Sequence, residues 1–298
     1  MAAQTGSGAL RLRFFLPSAE LAPYITTYYF TEAAQADGVV EDYLHPEWAN
    51  IRLVAPGAIF AGIGAGEVAR VPDFVATGPT SVATRFGLQS GRYWGIGLLP
   101  AGWARFVDAP ANVHADHYTD VAADPAFAAF RPLKDIIRAG GDVAAEAAAI
   151  DAHMKSLLAR PPRDDARIFG LHKALLDEEI DTVGGLAERM GLSARSLERL
   201  ANQVFGFPPK LLLRRQRFLR SLAQFMLDPS LKWLNTLDWH YHDQAHFTRD
   251  FRRFMTISPR EYARLDHPVL RAAAIGRSQV AGEAVQGLHD PAGPTARD

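Results

Sequence analysis

Between Arg189 and Arg220 the 298-residue chain carries eight Lys or Arg (Arg189, Arg195, Arg199, Lys210, Arg214, Arg215, Arg217 and Arg220) against one acid, Glu198. The formal net charge of the whole chain is only -1, so the block is local. A basic block in a balanced chain is the footprint expected of phosphate contact, although a solvated helix face carries similar charge. Inside it, Arg195, Ser196, Glu198, Arg199 and Asn202 are of types that read base edges. Arginine donates two bonds to guanine, and glutamate accepts from cytosine.

Such residues need a rigid element to present them. Thr182 can cap a helix with Val183, Leu186, Ala187 and Met190 on one face. Gly191 suits a left-handed helix end. Ser193 then caps a second helix that buries Leu197, Leu200 and Val204. Two short helices joined by a glycine turn make a helix-turn-helix, with the polar set on the outer face of the second helix. Gly206-Phe207-Pro208-Pro209 stops that helix and starts a longer one, from about Pro209 to Leu227, ended by Asp228-Pro229. A short helix over Leu231 to Asp238, a turn at Trp239 to His242 and a helix from Asp243 to Phe254 form a second unit. Ile257-Ser258-Pro259 opens a short closing helix through Tyr262.

Upstream the pattern differs. Tyr24 to Thr31, Ile51 to Ala55, Ala58 to Ile63, Asp73 to Thr77, Ser81 to Leu88 and Tyr93 to Leu98 read as strands separated by turn formers, which predicts a sandwich or barrel. An Ala-rich helix follows from Asp142 to Ala159, with a stripe of Val143, Ile150, Met154, Leu157 and Leu158. That stripe faces either its own domain or a second copy as a dimer seam. Pro161-Pro162 marks a boundary. Beyond Leu270 neither helical nor strand periodicity is visible, and disorder is expected.

In its helical third the chain resembles the AraC/XylS family of regulators. The likeness runs through Leu186-Ala187, Gly191-Leu192-Ser193, Leu197-Glu198-Arg199 and Gly206 with Pro209. It continues through Asp243-Gln244-Ala245-His246-Phe247-Thr248-Arg249-Asp250-Phe251-Arg252-Arg253-Phe254 and Ser258-Pro259-Arg260-Glu261-Tyr262. The resemblance implies a sequence-specific transcription regulator whose two units enter successive major grooves of double-stranded DNA. By position it implies base contacts from Arg195, Glu198 and Arg199, and from Gln244, His246 and Arg249. Phosphate contacts are expected from Ser193, Arg214, Arg215, Arg252 and Arg253.

The expected fold class is α+β: an N-terminal β-rich domain, a cupin-like sandwich or barrel, then an all-α domain with two helix-turn-helix units. The expected divisions are 1–130, a β-rich effector or dimerisation domain; 131–162, a helical linker; 163–266, the double helix-turn-helix; and 267–298, a disordered tail. A small-molecule effector, a homodimer and, for an activator, RNA polymerase are the implied partners. Tyr28, Tyr29, Phe30, Trp48, Trp94 and Trp103 either line an apolar pocket or form core.

Two departures from the family pattern stand out. His240, in the turn before the second recognition helix, and Thr256-Ile257, before Ser258-Pro259, replace usual glycines; a bulky residue at positive φ costs on the order of 1 kcal/mol. Ala201 stands where an aromatic is common. The competing expectation is therefore an interaction or ligand-sensing protein whose helical domain binds DNA weakly or not at all.

Other chemistry is disfavoured. The absence of cysteine removes disulfides, thiolate ligands and thiol nucleophiles. No nucleophile-elbow, phosphate-loop or zinc-protease spacing points to an enzyme. His114-Ala115-Asp116-His117 with His45 and Glu47 lacks the His-x-His spacing of metal-binding cupins, so neither a metal nor another cofactor is expected. Without an 18-residue apolar run or a secretion-type N-terminus, a cytoplasmic location and no membrane partner are expected.

Overall fold

In the computed structural model, residues 2–5, 10–34, 38–137, 141–159, 164–227, 241 and 243–291 are described. Among these residues eleven strands belong to the N-terminal part: β1 (Ala2–Thr5), β2 (Leu10–Phe15), β3 (Ile25–Ala33), β4 (Val40–Leu44), β5 (Asn50–Val54), β6 (Ile59–Ile63), β7 (Ala69–Arg70), β8 (Phe74–Thr77), β9 (Thr84–Leu88), β10 (Gly91–Leu98) and β11 (Tyr118–Asp120). They make a seven-stranded sheet, β1-β2-β3-β10-β5-β8-β11, and a four-stranded one, β4-β9-β6-β7. All pairings are antiparallel. All six expected strands are present, with ends shifted by at most three residues.

Each strand alternates its side chains between two faces. From β2, Leu10, Leu12 and Phe14 turn toward β6 and β9, where Ile59, Ala61, Phe86 and Leu88 meet them between the sheets. A cavity of about 90 Å³ remains there. Trp94 and Ile96 of β10 face outward, into a second core with Trp103, Phe106, Phe127 and Phe130. The short helices α1 (Pro100–Phe106), α2 (Ala111–His114) and α3 (Leu133–Ile136) lie in this stretch, followed by α4 (Val143–Ser156).

That packing decides the alternatives for α4. Ile150 and Met154 are fully buried in the outer core of the large sheet, and Val143, Leu157 and Leu158 pack against it. Trp94 Nε1 donates to Glu146 at 2.9 Å, fixing the helix from its polar edge. The stripe is covered by the chain's own β domain and is not free to be a dimer seam.

The helical part contains α5 (Asp165–Leu176), α6 (Val183–Met190), α7 (Ala194–Leu200), α8 (Pro209–Leu227), α9 (Gln244–Met255), α10 (Pro259–Tyr262) and α11 (Pro268–Ala281). The fold is thus an antiparallel two-sheet domain followed by helices, as the α+β expectation had it. The helix expected over Leu231 to Asp238, and His240, lie outside the described residues.

The tail expectation needs correction. Residues 268–281 form α11, and Val269, Ala272 and Ala273 pack on the β domain while Leu270 and Ala274 pack on the second helical unit. A helix wedged between two bodies buries small residues on several faces. It therefore lacks the polar-apolar period by which a surface helix is recognised. No helix among the described residues is long and apolar enough to cross a membrane.

Candidate nucleic-acid interface

The first unit is assembled by local chemistry. Thr182 Oγ1 accepts from Gly185 N–H at 3.1 Å, opening α6. Gly191 closes it at φ 59, a left-handed conformation that glycine adopts without a Cβ clash. Ser193 Oγ accepts from Ser196 N–H at 3.2 Å and opens α7. Leu186, Leu197 and Ala201 are buried in one core with Phe205 and Leu212. With those inside, Arg195, Glu198 and Arg199 stand exposed on α7, as does Ser193 at its cap. Among the described residues, Arg195 and Arg199 make no hydrogen bond or ion pair, so their guanidinium donors are available.

A single π-turn, Ala201–Phe205, continues α7 and ends at Gly206, φ 84. Gly206 has a second requirement: a Cβ there would lie 2.7 Å from Pro79 Cγ of the β domain. Ala201, which stands where an aromatic is common, is fully buried, and Trp48 from the β domain joins the same core. Trp48 packs edge-on to His172 and Phe205, with centroids 5.5 and 5.6 Å away.

The second unit shows the same division of faces. Asp243 accepts from His246 N–H at 2.6 Å and caps α9. Phe247, Asp250, Phe251, Phe254 and Met255 point inward, whereas Gln244, Arg249, Arg252 and Arg253 are exposed. His246 is half-buried, with Nε2 3.4 Å from Arg217 Nη2 and its ring edge-on to Tyr241 at 5.0 Å. Its presentation to a base is therefore less direct than that of Gln244 or Arg249. Ser258 and Glu261 form a reciprocal capping box around α10.

Thr256 adopts φ 63 at the end of α9, so this departure from glycine does place a β-branched residue in the left-handed region. Its hydroxyl donates to Met255 O at 2.6 Å.

Two of the expected phosphate ligands are committed elsewhere. Arg215 is 0% exposed. Its guanidinium lies 3.8 Å from the Trp48 ring centroid and donates to Thr80 O at 3.0 Å. Burial pushes its pKa down to about 9, opposed by the nearby Asp116 carboxylate. It cannot reach DNA from that position. Arg214 Nε donates to Asp250 at 2.6 Å, joined there by Arg217 at 3.3 Å and the Tyr241 hydroxyl at 3.1 Å. Arg214 thus holds α8 to α9 instead of facing phosphate.

Asp250 and Trp48 organise these contacts; the sequence gives Asp250 no role of its own and Trp48 only the choice between pocket and core, of which core is found. A signal for the first existed: Asp250 lies three residues after Phe247 and four before Phe254, on the buried stripe of α9.

The β domain also touches the C-terminal end of α9, where Ala83 N–H donates to Phe254 O at 2.6 Å. His45 Nε2 lies 2.8 Å from the Tyr262 hydroxyl. The other residues weighed as metal ligands are engaged in protein contacts. Glu47 pairs with Arg52, Asp116 accepts from Ser81 Oγ at 2.7 Å, and His114 Nδ1 lies 3.0 Å from Thr119 Oγ1. Among the described residues no cluster of three His, Cys, Asp or Glu could hold a metal ion. Of the aromatic set, Tyr29 lines the cavity between the sheets, while Tyr28, Phe30, Trp94 and Trp103 belong to the outer core of the large sheet and Trp48 to the core of the first helical unit.

Comparison with known proteins agrees with this geometry. Residues 186–265 match the family described as "Helix-turn-helix domain". No curated protein matches. Among solved structures, ToxT from Vibrio cholerae aligns at TM-score 0.43 and 10% identity, over 76% of this chain and 96% of that one. The AraC-like transcriptional activator CuxR aligns at TM-score 0.30 and 13% identity, over 72% and 81%. Alignments this distant carry no argument about function. The matched segment is a helix-turn-helix domain of the AraC type, a DNA-binding module of transcription regulators.

Proposed function

We propose that this chain is a sequence-specific transcription regulator that reads two successive major grooves, with α7 in one and α9 in the other. The observation that carries the reading is the matched exposure of the two helices. Each is capped by a short polar side chain, buries one apolar face, and leaves base-reading types on the other. Arg195, Glu198 and Arg199 serve the first groove, and Gln244 and Arg249 the second, with His246 at the margin. Ser193, Arg252 and Arg253 meet phosphate, which positions the protein without specifying sequence.

The β domain is the sensing domain in this reading. Its cavity is lined by both sheets and by α11, and the same domain grips α8 through Arg215 and α9 through Ala83. A small-molecule effector in that cavity would act on the wall that holds both helix-turn-helix units.

Selection of bound duplexes from a random pool tests the DNA reading. Enrichment of a site with two elements about 10 base pairs apart is expected. A pool that stays random after repeated rounds would refute it.

A further inference from the structure

Gly282, at φ 79, ends α11, and the segment after it bonds both to the β domain and to α8. Ala284 and Val285 enter the core of the second helix-turn-helix unit beside Phe218, Phe251 and Phe254. Gln286, 3% exposed, bonds instead with the large sheet. Its Oε1 accepts from Asn50 Nδ2 of β5 at 3.3 Å, and its Nε2 donates to Ala49 O at 3.4 Å. The next residue completes a tie: Gly287 O accepts from Gln216 Nε2 of α8 at 2.7 Å. Asn50 is itself held, accepting from the Tyr29 hydroxyl at 3.1 Å and donating to Trp48 O at 3.3 Å. Gly97 of β10 leaves room for the junction, since a Cβ there would lie 2.6 Å from Gln286 Nε2.

The side chains of this tie are buried amides, and a buried amide is costly unless it is bonded. Gln216 is 1% exposed, and its Oε1 is sealed without a partner. An apolar side chain would fill the same space without that cost, so stability alone does not account for an amide here. What an amide adds is directional bonding that admits one alignment of the parts it joins.

The place of Gln216 on α8 gives that alignment a consequence. Leu212 and Leu213 belong to the core of the first unit, with Leu197 and Phe205. Phe218 and Leu222 belong to the core of the second, with Phe247 and Phe251. Gln216 therefore lies where the two cores meet along their shared helix. The 19 residues of α8 span about 28 Å. A bend of about 10° at the middle would shift one end by about 2 Å, well beyond the tolerance of a binding constellation.

We propose that Gln286 and Gln216 are positioning residues for two-groove reading. Through them the segment after α11, which lies beyond the matched residues 186–265, fixes α8 on the large sheet. It thereby fixes the spacing at which α7 and α9 meet DNA. The inference rests on the DNA reading proposed above and adds the register between its two elements.

Binding of the full chain to the selected two-element duplex, and to the same duplex with two base pairs inserted between the elements, tests the proposal. The insertion rotates one element by about a fifth of a turn. It is expected to cost the parent at least about tenfold in affinity, the scale of one mismatched base pair. Gln286→Met and Gln216→Met each keep the side-chain volume and remove the amide. Each should reduce the insertion penalty to about threefold or less while preserving base preference within each element. Because the two are links in series, the double variant should match either single one. A loss of stability alone would lower affinity for both duplexes alike and leave the penalty unchanged. Should one variant fail to fold, the other cuts the same tie. A penalty as large in the variants as in the parent, or none in the parent, overturns the proposal and leaves the DNA reading standing. A parent that selects no duplex overturns both.

Discussion

The guanidinium of Arg215 lies over the Trp48 ring, 3.8 Å from its centroid, and joins the central helix of the DNA-binding part to the β domain. A desolvated cation–π contact is worth about 2 kcal/mol. Hydrogen bonds from a charged donor add about 1.5–3 kcal/mol. Return of the charge to water offsets part of this, so Arg215→Ala is expected to lose about 2 kcal/mol of stability in urea denaturation. The same variant should leave the salt dependence of DNA binding unchanged. Arg252→Ala and Arg253→Ala should instead each reduce the slope of log K against log salt by about 0.9 while leaving stability nearly intact. A reduced slope for Arg215→Ala would place that residue on phosphate after all.

Asp250 is 0% exposed and holds Arg214, Arg217 and Tyr241 together. Asp250→Asn keeps the shape and removes the charge, leaving two arginines uncompensated beside a buried site. Breaking a buried pair from one side costs about 3–5 kcal/mol. The variant should therefore unfold at clearly lower urea concentration. A loss below about 1 kcal/mol, the range of surface ion pairs, would contradict the role given to Asp250.

Where local chemistry decides the structure, residue types alone were enough to read it. The caps at Thr182 and Ser193 and the left-handed turn at Gly191 are legible from residues at most four apart, while Asp243 and Ser258 are legible only as helix starts, their capping bonds being seen in the structure. Arg215 and Arg252 carry the same charge in similar basic runs, yet one is buried and the other exposed. Only helical spacing separates them: Arg215 falls between Leu212 and Leu219 on the buried face of α8. What covers that face is Trp48, more than 160 residues earlier in the chain, and no local pattern announces such a partner. For the same reason the cavity between the sheets was not visible from strand periodicity, since α11 supplies part of its wall.

Acid should weaken the fold through three buried histidines. Burial, with cationic neighbours adding to it, pushes His45 and His172 down to about 3 and His289 to about 4. Each binds a proton more readily unfolded, where its pKa is about 6.5, than folded. Their stabilising contribution is therefore complete above about pH 6.5 and is lost as pH falls from there through the folded values. The expected loss is about 1.4 kcal/mol per histidine for each pH unit below about 6.5. Thermal unfolding between pH 7 and 5 should show it, and His172→Phe should flatten the slope. A Tm that does not change over that range would contradict the burial of neutral imidazoles.

Thr256 stands at φ 63 after α9. Glycine at that position relieves the contact between Cβ and the backbone, worth about 1 kcal/mol. Thr256→Gly is expected to raise stability by up to that amount, although glycine also gains entropy in the unfolded chain. A marked fall would show that the Thr256 hydroxyl, which donates to Met255 O, outweighs the strain.

The two recognition helices are tested most directly by nuclease footprinting on a selected operator. Arg199→Ala and Arg249→Ala should each relax base preference at one element, the two elements lying about 10 base pairs apart, one helical turn. Each lost bidentate contact should reduce discrimination there by about 1–3 kcal/mol. Both substitutions affecting the same element, or neither altering sequence preference, would contradict the two-groove account.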